Sequence, residues 1–258
     1  MTRSGRPGSL DGGKSGPGIC VRTPEAAHLG SRQEANVMAG VVIVGAGPGI
    51  GSSVARRFGT AGLPVGLIAR SAASIDAARA TLAAAGVEAV GATADAAQED
   101  QLTAALDALA GRLGVPEVLV YNTGLIRADR PGELSRQQYL DAYAINVLGA
   151  LTSATHLAPR MAEAGGGTIL ITGGMPEPEP EQTSLSLGKA DVRALTVLLA
   201  KEYGPGGIHV ATVTVGGAVS PRSRFDPDRI AEHYWRLHTQ PRGAWEHEVV
   251  FAGEPAAA

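Results

Sequence analysis

The sequence predicts an α/β fold in a single domain, a doubly wound parallel sheet with helices on both faces. Three observations lead there. From residue 41 onward, short runs that are apolar throughout alternate with longer Ala-rich stretches; such runs are strands buried on both faces, as in a parallel sheet covered by helices. The first run ends in a glycine-rich turn, G-A-G-P-G-I-G at 45–51, with a helical stretch directly after it. The alternation then continues to the end of the chain, with no solenoid-type repeat and no second domain.

The elements follow in order. VVIVG (41–45) is a strand and 49–61 a helix; VGLIA (65–69) is a strand and 72–85 a helix ended by Gly86. VEAVGAT (87–93) is a strand, followed by a helix over 98–113. EVLVY (117–121) precedes one long helical stretch, 135–164, with Pro159 near its end. GTILIT (167–172) is a strand and 184–203 a helix; IHVATVTV (208–215) is a strand, 226–237 a helix and HEVVF (247–251) the last strand. Crossovers between parallel strands are right-handed almost without exception. In such sheets ligands bind beyond the carboxyl ends of the strands, where strand order reverses. Site residues are therefore expected after Gly45, Ala69, Thr93, Tyr121, Thr172 and Val215.

Composition narrows the functional classes. The chain has 258 residues, 44% of them hydrophobic and 18% charged, which suits a globular protein with a sizeable core. A net charge of -3 argues against a nucleic-acid surface. Cys20 is the only cysteine, so an intrachain disulfide and a Cys-based zinc site are both excluded, and no metal site is expected. No apolar run approaches the ~20 residues of a membrane-spanning helix. These features lead to the expectation of a cytoplasmic protein acting on a small molecule. Residues 1–37 are rich in Gly, Ser, Pro and charge, and they lack the apolar segment of a secretory signal. They read as a disordered extension, as the product of a start placed too early, or as a partner-binding arm. The compact domain is expected over 38–258, with Met38 just before the first strand.

The turn at 45–51 is a Rossmann-type phosphate cradle in the making. Gly45, Gly47, Gly49 and Gly51 allow a tight turn and a close backbone approach to a pyrophosphate, with Pro48 and Ile50 between them. The helix N-terminus adds free N–H groups and partial positive charge. At the end of the second strand an NAD site would place an acidic residue for the ribose 2′-OH. Here Ala69 stands at that place and Arg70 follows. An arginine holds a 2′-phosphate by charge-assisted hydrogen bonds, so NADP(H) is favoured over NAD(H). Arg70 also reads as a solvated surface charge, and Pro48 puts no basic side chain in the turn.

The turn has the spacing T-G-x-x-x-G-x-G, with Val44 in the Thr place, and the chain over about 40–220 resembles the short-chain dehydrogenase/reductase family. Y-N-T-G (121–124) resembles that family's N-N-A-G, which marks Asn122 and Gly124 as cofactor contacts, and Asp95 stands where the family contacts the adenine. I-N-V-L-G (145–149) resembles the segment carrying its active-site asparagine, here Asn146. S-L-S-L-G-K (184–189) resembles its Y-x-x-x-K segment, with Lys189 in the lysine place. The resemblance implies a homo-oligomer, dimer or tetramer, that reduces carbonyls or oxidises alcohols. In that chemistry a tyrosine moves the proton, the lysine tunes it and binds the nicotinamide ribose, a serine bonds the substrate oxygen, and the asparagine holds a relay water.

Two of those positions are changed. Leu185 stands where the tyrosine belongs, and Gly173 and Gly174 replace the serine pair, Gly174 being the catalytic place. Proton transfer by a placed side chain is worth roughly 10²–10⁴ in rate. Thr172 is a candidate to replace the serine, because alternation places it on the same strand face as residue 174. Thr183, Ser184, Ser186 and Tyr143 are further hydroxyls nearby. Lys189 is one of three lysines against nineteen arginines, which suggests a position needing a compact, tunable ammonium. P-E-P-E-P-E (176–181) either borders the substrate pocket, where it would discourage anions, or is a solvated loop. The segment 233–241, with His233 and His238, is expected to cover the substrate side or join a subunit interface. Three functions stay open: an oxidoreductase with a non-standard proton relay, a non-catalytic NADP(H)-binding sensor or partner subunit, and a non-redox isomerase or lyase.

Overall fold

The structure, a computed structural model, describes residues 40–254. The chain divides into two units, Met1–Glu34 and Ala35–Ala258, and every described residue belongs to the second. The expectations for residues 1–37 lie outside the described residues.

Seven parallel strands form the sheet: β1 (Val41–Val44), β2 (Val65–Ala69), β3 (Ala89–Thr93), β4 (Val118–Tyr121), β5 (Gly167–Gly174), β6 (Ile208–Val215) and β7 (Glu248–Phe251). The helices between them are α1 (Ile50–Thr60), α2 (Ala72–Ala83), α3 (Glu99–Leu113), α4 (Arg136–Tyr143), α5 (Gly149–Glu163), α6 (Thr183–Tyr203) and α7 (Pro227–His238). Strand order is β3-β2-β1-β4-β5-β6-β7, so it reverses between β1 and β4. The doubly wound fold expected from the sequence is the one observed, and the expected crevice lies at that reversal.

β1 shows why the sequence folds this way. Val42 and Val44 face a core shared with α3, α5 and α6, while Val41 and Ile43 face a second core shared with α1, α2 and α7. All four side chains are buried. β3, at one edge of the sheet, is only half-buried, and it starts at Ala89 rather than at residue 87.

The expected long helix over 135–164 is divided. α4, opened by a capping box of Ser135 and Gln138, runs into a π-helical turn over Ala144–Leu148 before α5 begins. A widened turn leaves a carbonyl without its usual intrahelical partner. The Tyr121 hydroxyl at the end of β4 donates to one of these, Ile145 O. Burial pushes the Tyr121 phenol well above its ordinary pKa, with the Asp95 charge adding to the effect, so it stays a donor. The turn buries Asn146 and Val147 against the site.

α1, whose N-terminus faces the crevice, is anchored by α7. Phe58 is fully buried, with its ring 5.2 Å from Trp235 in a T-shaped pair and 5.5 Å from His238. The Arg57 guanidinium lies 4.3 Å from the Trp235 ring centroid, and Ser53 Oγ donates to Asp228 at 2.6 Å. Among the described residues no helix is long and apolar enough to cross a membrane. Phe58→Ala is expected to destabilise the fold by about 3–5 kcal/mol, because truncation leaves a cavity between α1 and α7. Urea denaturation should show the lower midpoint.

Candidate active site

The turn after β1 is forced into its path by crowding. A Cβ on Gly51 would lie 2.3 Å from Gly45 O and 3.0 Å from Asn122 Nδ2, so only glycine fits. Ser52 Oγ donates to Gly47 O at 2.9 Å and closes the turn. Beyond it opens a cavity of about 390 Å³ lined by Gly45, Gly47, Pro48, Ile50 and Gly51, with Ala69 and Arg70 on one side and Asp95, Asn122 and Gly124 on others. Of the expected cofactor contacts only Gly49 and Lys189 are absent from this lining; Gly49 is the N-cap of α1, at φ 141. Arg70 is exposed at the rim, and no hydrogen bond or ion pair with another described residue holds its guanidinium. Ser74, in the first turn of α2, also lines the cavity. It was legible only as part of the cap S-x-x-S, in which Ser71 Oγ accepts from Ser74 N.

A second cavity of about 600 Å³ adjoins the first and shares Ile50, Asn122, Thr123 and Gly124 with it. Gly174, Met175, Glu177, Glu179, Leu185, Lys189 and the turn 216–219 complete its wall. Lys189 enters from α6 with 7% exposure, and its Nζ donates to Thr172 O at 2.6 Å. Burial lowers its pKa from 10.5 to about 8. A Cβ on Gly124 would lie 3.8 Å from Lys189 Nζ and 3.5 Å from Asn146 Oδ1, so ammonium and amide flank one glycine.

Several expected roles change in three dimensions. Asn146 is 1% exposed; its Oδ1 accepts from Leu125 N at 2.7 Å and its Nδ2 donates to Leu125 O at 3.4 Å. It braces the loop after β4, and both polar ends of the amide rest on backbone rather than on the second cavity. Thr172 lines the second cavity with Gly174, but its hydroxyl is turned to other partners. Its Oγ1 donates to Asn122 Oδ1 at 2.8 Å and pairs with Tyr234 OH at 2.5 Å, on the α7 side of the sheet. A Cβ on Gly174 would instead lie 3.7 Å from Lys189 Cε, on the α6 side. The Thr172 hydroxyl thus makes two hydrogen bonds within the protein.

The hydroxyls around Leu185 are engaged as well. Ser184 Oγ donates to Asp129 Oδ1 at 2.7 Å, and Ser184 N donates to Asp129 Oδ2 at 3.0 Å, so buried Asp129 caps α6 from the loop after β4. Ser186 Oγ accepts from Glu179 N at 3.0 Å, and Thr183 Oγ1 donates to Pro180 O at 2.9 Å. Tyr143 is 38% exposed and lines neither cavity. Its phenol is pushed up by burial and by the neighbouring Asp191. His233 packs on Phe251 with ring centroids 5.2 Å apart, and His238 Nδ1 meets Thr168 Oγ1 at 3.0 Å near the amino end of the sheet. Neither histidine lines the cleft, and α7 packs on α1 rather than over the substrate side. Of the three loop carboxylates, Glu177 and Glu179 line the second cavity, while Glu181 pairs with Arg130.

The two glycines ending β5 differ. A Cβ on Gly173 would meet Thr212 Cγ2 and Thr214 Oγ1 at 2.5 Å each, so β6 requires glycine there. At Gly174 the nearest atoms are 3.7 Å away, and a serine fits. Arg193, one turn beyond Lys189, donates to Gly174 O at 3.3 Å and to Met175 O at 3.1 Å. It holds Met175 at φ 48, a left-handed conformation that disfavours side chains. Its position four residues after Lys189 was the only trace of this role in the sequence. Among the described residues no cluster of His, Cys, Asp and Glu fits a metal ion.

Comparison with known proteins gives a consistent result. The family profile described as "short chain dehydrogenase" matches residues 39–227. D-threitol dehydrogenase of Mycolicibacterium smegmatis is 29% identical over 175 residues, 67% of this chain and 67% of that protein. Cis-4-hydroxycyclohexanecarboxylate dehydrogenase of Sinomonas cyclohexanicum is 32% identical over 185 residues, 70% of this chain and 73% of that one. A short-chain dehydrogenase from Rhodopseudomonas palustris superposes with a TM-score of 0.75 at 28% identity, over 82% of this chain and 97% of its own. A metagenomic short-chain oxidoreductase solved in complex with NADP gives 0.75 at 26% identity, over 83% and 97%.

The buried ammonium has a thermodynamic consequence. Its pKa is depressed on folding, so the folded state holds fewer protons than the unfolded state between pH 8 and 10.5. The cost is full below pH 8 and is recovered as pH rises towards 10.5. The drop corresponds to roughly 3 kcal/mol. Lys189→Met is therefore expected to raise stability at pH 7 by about 1–3 kcal/mol, the lost bond to Thr172 O taking back part of the gain. The difference should shrink steadily above pH 8 when Tm is followed against pH.

Proposed function

The chain belongs to the short-chain dehydrogenase family, and we propose that it is an NADP(H)-dependent oxidoreductase acting on a small carbonyl or alcohol through a non-standard proton relay. The observation that carries this reading is the pair of adjoining cavities, with Lys189 buried beside the glycine they share. The first cavity fits the pyrophosphate and adenosine portions of a dinucleotide. The N–H groups at the start of α1 and the turn 45–51 suit the phosphates, and Asp95 suits the adenine end. Arg70, followed by the α2 N-terminus with Ser71 and Ser74, suits a 2′-phosphate. Two relatives point the same way: the metagenomic oxidoreductase was solved with NADP and the actinorhodin polyketide ketoreductase with NADPH.

When bound, the cofactor supplies the hydride that reduces a carbonyl carbon. Lys189 suits the nicotinamide ribose, and the second cavity suits the substrate. Its wall of Ile126, Met175, Leu185 and Val219, with Glu177 and Glu179 on an exposed loop, favours a neutral or cationic molecule over an anion. A second reading is favoured by one specific observation. Thr172, Thr183, Ser184 and Ser186 are all engaged elsewhere and Leu185 carries no proton, which is what a non-catalytic NADP(H)-binding member would show. Exposed Leu140, Leu148, Leu151, Leu187, Val197 and Leu198 on α4, the π-helical turn, α5 and α6 support a homo-oligomer joined through those elements.

Thermal unfolding separates the cofactors. NADPH or NADP⁺ at 100 times its dissociation constant is expected to stabilise the protein by ~2.7 kcal/mol, and NADH by much less. Arg70→Ala should erase the difference between NADPH and NADH. No shift with either phosphate-bearing form would sink the proposal. Leu185→Tyr with Gly174→Ser provides the second test: activity appearing only in that double variant would favour the non-catalytic reading of the natural chain.

A further inference from the structure

We propose that Lys189 is itself the proton donor of the reduction, passing a proton from Nζ to the oxygen of a carbonyl held against Gly174 and Leu185. This rests on the oxidoreductase reading above and goes beyond it by giving the ammonium the role of an absent hydroxyl. The first support is elimination by geometry. Titratable side chains lining the second cavity are Lys189, Glu177 and Glu179, and the two glutamates sit on an exposed loop. The second is capacity: a lysine ammonium carries three donors, and Thr172 O takes one. The third is space. A Cβ at Gly174 would lie 3.7 Å from both Cγ and Cε of Lys189, so the room a serine side chain would fill lies open along the lysine stem.

The electrostatic surroundings suit a donor that works near neutrality. On α6, Arg193 is turned to the carbonyls of Gly174 and Met175. β5 offers Thr172 O, the π-helical turn offers the neutral Asn146, and the loop after β4 and the turn 216–219 bring no charged side chain to the cavity wall. Burial alone therefore sets the affinity of Nζ for its proton, and it brings the pKa to about 8. Acid catalysis is most effective when the donor pKa lies near the working pH. The step balances. As the carbonyl carbon receives hydride, the Nζ–H bond breaks and an O–H bond forms. NADPH ends as NADP⁺, and the neutral amine regains a proton from water.

The chain has three lysines, Lys14, Lys189 and Lys201, so protein labelled with ¹³C at lysine Cε should give three resonances to follow by NMR in the NADPH-bound form. The resonance missing from Lys189→Met is expected to titrate with a midpoint near 8. The kcat/KM for NADPH oxidation with a panel of aldehydes and α-diketones should fall about tenfold per pH unit above that midpoint. Lys189→Arg, which stays charged at every working pH, should lose that alkaline limb, and Lys189→Met should reduce kcat/KM by roughly 10²-fold or more. Thermal shift on the same preparations reports NADPH binding independently. Binding that is intact in the wild type, together with a pH-flat rate, a Lys189 resonance unmoved below pH 10, activity of Lys189→Met within tenfold of wild type, or no turnover of any carbonyl, would each overturn the proton-donor role alone. Failure of NADPH to bind would remove it together with the reading it rests on.

Discussion

Asn122 ties together the carboxyl edge of the sheet. Its backbone N–H donates to Val44 O at 2.7 Å, extending the β1–β4 pairing by one rung. Its side-chain Nδ2 donates to Gly45 O at 2.9 Å and fixes the first residue of the glycine turn. Its Oδ1 accepts from Thr172, which in turn meets Tyr234 of α7. One amide thus links the ends of β1, β4 and β5 to a helix on the far face. Both of its polar ends are matched, and removing one partner would strand a part-buried dipole at a cost of about 1–3 kcal/mol. The turn passes so close to this amide that residue 51 has no room for a side chain. The first cavity is framed by this contact.

The same logic explains why the cleft keeps its frame while hydroxyls are scarce in it. A sheet buried on both faces has its polar groups concentrated at the strand ends, where each must find a partner. α6 begins at this edge, and its first N–H groups need acceptors. Asp129 supplies them from across the cleft, and the price is the engagement of the Ser184 hydroxyl along with its N–H. Ser186 fastens the loop at Glu179, and Thr183 fastens it at Pro180. The two loops that flank the second cavity are pinned to each other and to α6 by groups that sequence inspection would count as candidate acids. Geometry turns them into fasteners.

The parts legible in the sequence were those dictated locally. VVIV and VGLIA leave no alternative to buried parallel strands, and Arg70 is placed by standing one residue past a strand end. Lys189 was legible from its type and spacing. The π-helical turn was not, because the hydroxyl that bonds it belongs to Tyr121, 24 residues before Ile145 and on another element. The partners of the Thr172 hydroxyl, Asn122 and Tyr234, were not legible for a related reason. Both lie far from it in the chain, one directly after β4 and one on α7. The partners of Asn146 on the Leu125 backbone depend on the π-helical turn and were likewise not legible.

Two features that work against stability border the second cavity. Met175 sits in a conformation that costs a residue with a side chain of order 1–3 kcal/mol. Lys189 keeps an ammonium where burial opposes its charge, with no carboxylate against it. Folded domains hold only about 5–15 kcal/mol in total, so these are sizeable debits. Elsewhere the chain neutralises its charges conventionally, as in Arg160 with Asp107 at 2.7 Å or Arg57 with Glu232 at 2.7 Å, on the surface. A purely structural position would be served better by methionine or leucine at 189 and glycine at 175. Strain and an uncompensated charge thus converge on one wall, beside a glycine with room for a side chain.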